Sequence, residues 1–173
     1  YSAAHSMKSP IQRNYPNTIG KWLDGLGFLF LALLWAFVLK SYFQLPDQIP
    51  THFNLSGVPD DYGSRYMILF LPGIATLLFI LLSVINRRPE RFNYPIAITP
   101  ENAAYQYQLA SNLIRTLRLA MPIIFGLVAV STIGSSYSHL SPLLSYLLPL
   151  ILGCTILPLI IYLFLATRKE KIL

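Results

Sequence analysis

Tyr66-Met-Ile-Leu-Phe-Leu-Pro-Gly-Ile-Ala-Thr-Leu-Leu-Phe-Ile-Leu-Leu-Ser-Val-Ile-Asn86 decides the fold. No charge interrupts this stretch, and Arg65 and Arg87 close its two ends. About 20 apolar residues in a helix cross a bilayer core. A charge at the centre of such a helix costs roughly 2.5 kcal/mol or more, which explains the clean run. Pro72-Gly73 predicts a kink or a loosened outer half within this span.

Three further spans follow by the same logic. The first runs from about Trp22 to Phe43, with Asp24 and Lys40 near its ends and Lys40 snorkelling outward. Lys8, Arg13 and Lys21 precede it, as in a signal peptide. No small-x-small cleavage site follows, so it reads as a retained anchor. The third span covers about 119–135 and the fourth about 143–166, with Pro149 and Pro158 inside. Between Leu119 and Thr167 there is no charge at all. The chain therefore reads as an all-α polytopic membrane protein with four transmembrane helices. These form one domain over 22–166, between an N-terminal segment (1–21) and a tail (167–173). Met7 reads as the natural start, so residues 1–6, His5 among them, are set aside as an added leader.

Composition supports this class. The chain has 173 residues, enough for one compact unit, and only 12% are charged against 54% hydrophobic. Soluble domains carry about 25% charged residues. The net charge of +6 does not point to nucleic acid, because the basic residues flank the apolar runs. They read as topology signals and headgroup contacts, which makes the lipid bilayer the first partner. The single Cys154 forms no internal disulfide and leaves the redox compartment open.

Lys and Arg counts orient the chain. Lys8, Arg13 and Lys21 precede span one, five arginines lie between spans two and three, and Arg168, Lys169 and Lys171 close the chain. Only Arg65 lies between spans one and two. Both termini and the 87–118 connection are thus expected in the cytoplasm, with the 45–65 loop and the His139 turn outside. Within the connection, Thr99-Pro100-Glu101-Asn102 reads as a helix start, with Thr99 as cap and Pro100 in the first position. Ala103, Tyr107, Ala110, Ile114 and Leu117 recur at helical spacing. This reads as a cytoplasmic amphipathic helix at the membrane surface, leading into span three; the sequence leaves open whether 101–118 lie on the membrane or continue straight into that span.

Chemistry is expected in the outer loop. Gln48 to Phe53 reads as extended, because residues preceding proline avoid helical angles. Asn54–Gly57 and Pro59–Gly63 read as turns, giving a compact cap shaped by Pro50, Gly57, Pro59 and Gly63. The candidate binding residues are His52, Asn54, Asp60, Asp61, Tyr62 and Arg65, with Lys40 just below. Asp47 is a further group able to carry chemistry. His52 with Asp60 is a candidate metal pair, Asp61 adding oxygens, but no HxxxH, CxxC or EF-hand spacing occurs. The structural alternative has His52 and Asn54 bonding the loop backbone, while the aspartates cap turns and pair with Lys40 or Arg65. No GxSxG, HExxH or phosphate-binding loop appears, no cofactor is expected, and no ionisable group lies mid-membrane.

Leu45-Pro-Asp-Gln-Ile-Pro-Thr-His-Phe-Asn54, Gly57-x-Pro-Asp60 and Tyr62-Gly-Ser-Arg65 resemble the bacterial membrane family called domain of unknown function 1648. That domain also occurs in SdpI-type immunity proteins. The usual form ends in Lys where Arg65 stands. The resemblance spans roughly residues 25–75, and Phe92-Asn-Tyr-Pro95 with Thr99-x-Glu-Asn102 is similar to longer members. It implies a small polytopic bacterial inner-membrane protein. For SdpI-type relatives it implies protection against a secreted peptide toxin and capture of a repressor at the membrane. SdpI-type proteins carry further spans and a second, C-terminal domain not recognised in this chain. Three functions stay open: non-enzymatic binding of a peptide or protein at the outer loop, an accessory subunit packing on a membrane-protein partner through Gly126, Ala129 and Gly134, and a metal-assisted membrane enzyme.

Overall fold

A computed structural model describes residues 18–54, 56–137 and 144–168, without the side chains of 144–148. It is a helical bundle capped by a β-hairpin. Helix α1 (Thr18–Tyr42) leads into strands β1 (Gln48–Phe53) and β2 (Pro59–Ser64). A 3-10 turn (Arg65–Leu69) enters α2 (Phe70–Ile85), a short 3-10 turn (Pro89–Arg91) follows, and α3 (Ala103–Tyr137) and α4 (Leu144–Arg168) complete the chain. Four of these segments are long and apolar enough to cross a membrane.

Span one starts earlier than its hydropathy implies, at Thr18, because Lys21 and Asp24 sit on the first turns of α1. The loosened outer half of span two takes the form of the 3-10 turn. Pro72 itself falls in the first turn of α2, where its missing N–H would lack a helical partner anyway.

Span three answers the question that the sequence leaves open. Residues 103–118 do not form a separate surface helix; they are continuous with 119–137 in one helix of 35 residues. At about 1.5 Å per residue it is roughly 52 Å long, well beyond a bilayer core of about 30 Å. Part of the apolar stripe meets α4. Ala110 packs with Tyr162 and Ala166 of α4, flanked by Leu109 and Leu113. The buried Gln106 donates from Nε2 to the Ala166 carbonyl at 3.1 Å, and Tyr105 donates to the Leu165 carbonyl at 3.5 Å. Both carbonyls belong to the last turn of α4, which has no donors of its own. The extension of α3 thus caps α4. The helix start also shifts: Thr99–Asn102 forms a turn closed by Ala103 N–H to the Thr99 carbonyl at 2.9 Å, and α3 begins after it.

The core sits at the hairpin end. Leu34 and Val38 of α1, Ala75 of α2 and Ala129 of α3 pack with Leu45, Ile49 and Ile68. Ala129 is fully buried there, so it offers no surface to a partner. Expected features of the turn after Tyr137, His139 included, lie outside the described residues.

Candidate functional site: the hairpin cap

The loop between α1 and α2 contains antiparallel structure, so the chain is not purely α. β1 and β2 pair from Gln48–Ser64 to Phe53–Pro59, with irregularities on both sides of His52. Pro59–Gly63, expected as a second turn, is strand: Pro59 takes the first position, where a missing N–H is tolerated. Asn54 builds the connecting turn. Its Oδ1 accepts from the backbone N–H of Ser56 at 2.9 Å and of Val58 at 3.0 Å. Gly57 has φ 74°, a left-handed conformation that favours glycine.

Three contacts seat the hairpin on the helices. Ile49 inserts into the core and is 1% exposed, with Pro50 buried beside it. Arg65 stacks over the Tyr42 ring at 5.5 Å and donates to the Leu45 carbonyl at 3.4 Å. Its guanidinium also pairs with Asp47 at 3.7 Å, and its backbone N–H donates to the Asp47 carbonyl at 2.9 Å. Asp47 is 93% exposed at the side chain, so this ion pair contributes little by itself. Arg65 works chiefly as a clamp between the two ends of the loop. Tyr137, at the end of α3, donates to the Gln44 carbonyl at 2.7 Å.

The outward side of the hairpin carries the polar chemistry. His52 Nδ1 and Asp60 Oδ1 lie 2.5 Å apart, with side chains 68% and 43% exposed. Asp61 is not part of this pair; its Oδ1 accepts from the Tyr62 N–H at 2.9 Å. The backbone register sets His52 opposite Asp61, but irregularities on both sides of His52 break the regular alternation, and its ring meets Asp60 instead. Tyr62 is about half exposed. Lys40 is exposed and forms no ion pair among the described residues. Gly63 packs against Thr51, where an added Cβ would come within 2.9 Å of the threonine methyl. Among the described residues no three His, Cys, Asp or Glu side chains converge. His52 and Asp60 alone would give a metal one nitrogen and one carboxylate from this cap. Arg65 and Asn54 are therefore frame, and His52, Asp60 and Tyr62 are the displayed groups.

Sequence reasoning missed a second polar constellation at the other end of the bundle. Arg118 of α3 is buried and pairs directly with Asp24 of α1. It also donates to Ser83 Oγ of α2 at 2.9 Å and lies against the Phe79 ring at 4.8 Å. Arg115 Nε approaches the same carboxylate at 3.3 Å. Asp24 and Arg118 each look like a charge at the end of a span. Only their spacing from opposite chain segments to one depth reveals the pair.

Fold and cap together define a class: a multi-pass helical membrane protein whose first two spans are joined by a seated β-hairpin. Residues 29–76 match the family described as Domain of unknown function (DUF1648), which covers the end of α1, the hairpin and the start of α2. An uncharacterized protein of Archaeoglobus fulgidus is 42% identical over 84 residues, covering 44% of this chain and 46% of the relative. The chain thus spans under half the length of that relative. No solved structure matches. The family match falls on the helix–hairpin–helix unit, and neither match carries a stated activity.

Proposed function

We propose that this protein binds a peptide or protein ligand non-enzymatically through the displayed side of the hairpin. One observation carries the reading: the hairpin is anchored by Ile49, Arg65 and Tyr137, yet the side chains of His52 and Asp60 stay 68% and 43% exposed and Tyr62 stays 51% exposed. Ordering an exposed loop costs conformational entropy, and a cap already held in shape has met that cost before it binds. The distribution of Lys and Arg favours a plasma-membrane orientation with both termini in the cytoplasm and the hairpin outside. An immunity or signalling role fits by resemblance to SdpI-type proteins.

The test is affinity purification from native membranes, comparing wild type with His52→Ala plus Asp60→Ala. The expected result is a stoichiometric partner that the double variant loses while its thermal unfolding stays unchanged. A partner retained by the variant, or a variant altered only in stability, makes the pair structural and ends the proposal.

A second reading, an accessory subunit, draws on α3. Gly126 and Gly134 have open space where a side chain would stand, and Gly126 lines a groove with Phe30, Leu33 and Phe37. Small residues allow close helix approach in membranes. Gly126→Leu should then dissolve a larger assembly in mild detergent; an unchanged particle size would exclude that role for the groove.

A further inference from the structure

The Asp24 cluster is short of negative charge. Arg115 and Arg118 lie three residues apart on α3 and therefore share a face. Both turn to one carboxylate, that of Asp24. No other acidic side chain joins them: among the described residues the remaining ion pairs are those of Asp60 and Asp47, both at the hairpin. Two guanidinium groups against one carboxylate leave an excess positive charge. Arg118 cannot shed it to water, since its side chain is 8% exposed and held between the Phe28 and Phe79 rings at 5.9 and 4.8 Å. Its Nε is buried without an acceptor. Buried charges are costly unless paired, so the cluster has capacity for one more anionic partner.

Access and depth say what that partner is. Arg115 is the open member, with 21% of its side chain exposed. It donates to Asn112 Oδ1 at 3.2 Å, and its guanidinium lies flat on α1 at Gly20, where an added Cβ would come within 2.8 Å. The hairpin marks one end of the bundle. Measured along the helices at about 1.5 Å per residue, Asp24 lies roughly 27 Å from Tyr42, and Arg118 roughly 28 Å from Tyr137. A hydrocarbon core is about 30 Å thick. The cluster therefore falls close to the hydrocarbon–headgroup boundary of the leaflet opposite the hairpin, within reach of its phosphates. Guanidinium forks match phosphate oxygens in pairs, with charge assistance.

We propose that Arg115 and Arg118 form a binding site for a phosphate group, with Arg115 as the contacting edge and Arg118 as the fixed charge behind it. Asp24 competes with the ligand for the same donors and sets its affinity. A phospholipid headgroup and a free phosphate share this chemistry.

The full chain, purified in neutral detergent and washed free of lipid, is followed by thermal unfolding. Inorganic phosphate and phosphatidylglycerol are titrated separately at constant ionic strength, with phosphatidylcholine as the neutral control lipid. A ligand that binds only the folded protein raises the midpoint. At least one anionic probe should do so. Arg115→Gln, which leaves the Arg118–Asp24 pair in place, should weaken that probe about tenfold or more. Arg168→Gln, at the end of α4, should leave it unchanged. Asp24→Asn should tighten it severalfold, which a purely structural pair would not produce. Should Asp24→Asn not fold, Arg115→Lys takes its place; keeping the charge but losing the fork, it should fall between wild type and Arg115→Gln. A response to inorganic phosphate identifies a soluble ligand, and a response to phosphatidylglycerol alone identifies a lipid; both support the site. No response to either probe, or equal responses from wild type and Arg115→Gln, overturns it.

Discussion

The two ends of the bundle each hold a carboxylate against a cationic-type side chain, and the two pairs are built in opposite ways. At the hairpin, His52 and Asp60 come from neighbouring strands, and both members of the pair reach solvent. At the other end, Asp24 and Arg118 come from different helices, and Arg118 is enclosed by two aromatic rings and Ser83. An exposed pair gains little, because water and salt screen it and its side chains lose freedom. At the other end the carboxylate is 37% exposed but the guanidinium is 8% exposed, so it is Arg118 that would be left as a charge out of water if its partner were removed. The hairpin pair is therefore free to serve recognition, while the buried cluster ties α1, α2 and α3 together.

Arg118→Ala should have the largest effect. It removes the pair with Asp24, the bond to Ser83 and the packing between Phe28 and Phe79, and is expected to destabilise by about 3–5 kcal/mol. Unfolding in detergent measures it. A loss under about 1 kcal/mol would erase the contrast between the two ends. Ile49→Ala comes next, at about 2–5 kcal/mol, because a buried aliphatic side chain leaves a cavity under the cap. Limited proteolysis should then cut between Leu45 and Arg65; continued protection would show that Arg65 and Tyr137 suffice to seat the hairpin.

His52→Ala and Asp60→Ala should each cost below about 1 kcal/mol. A larger loss in the same unfolding assay would move this pair from the displayed to the structural side of the comparison. The smallest effect concerns Glu101, outside both ends. The Thr99 side chain, and then the backbone, hold its carboxyl below the ordinary range. A carboxylate depressed on folding contributes stability above its unfolded pKa and loses it as pH falls through the folded value. The protection factors of amides at the start of α3, which remove the intrinsic pH dependence of exchange, should therefore fall in acid, and Glu101→Gln should remove that fall. Identical acid profiles for both proteins would detach Glu101 from the helix start.

Much of the fold was legible because hydrocarbon imposes a coarse rule. An uncharged run such as 66–86 has few alternatives to a spanning helix. Asn54 and Gly57 likewise announce a turn through their own chemistry. Pro59–Gly63 misled for the same local reason: Pro, Asp and Gly favour turns in isolation, yet pairing with Gln48–Phe53 holds them extended. The course of residues 103–118 stayed open because an amphipathic stripe is identical whether it meets lipid or another helix. Tyr162 and Ala166, far along the chain, decide that it meets α4.

The candidate site divides in the same way. Residue types named the groups able to bind, but local sequence could not sort His52 and Asp60 from Arg65 and Asn54. That division depends on which side of the hairpin packs on Leu34, Val38 and Ala129. Asp24 and Arg118 were visible only as charges near span ends.

By itself, then, the sequence determined the spanning segments, the location of the polar cap and the residues able to carry chemistry there. These follow from transfer energies and backbone preferences that each stretch expresses alone. Tertiary structure decided the rest: which polar groups face out, that α3 runs on to cap α4, and that two arginines share one carboxylate. Each of these is a contact between distant segments, and its energy exists only once the helices are packed.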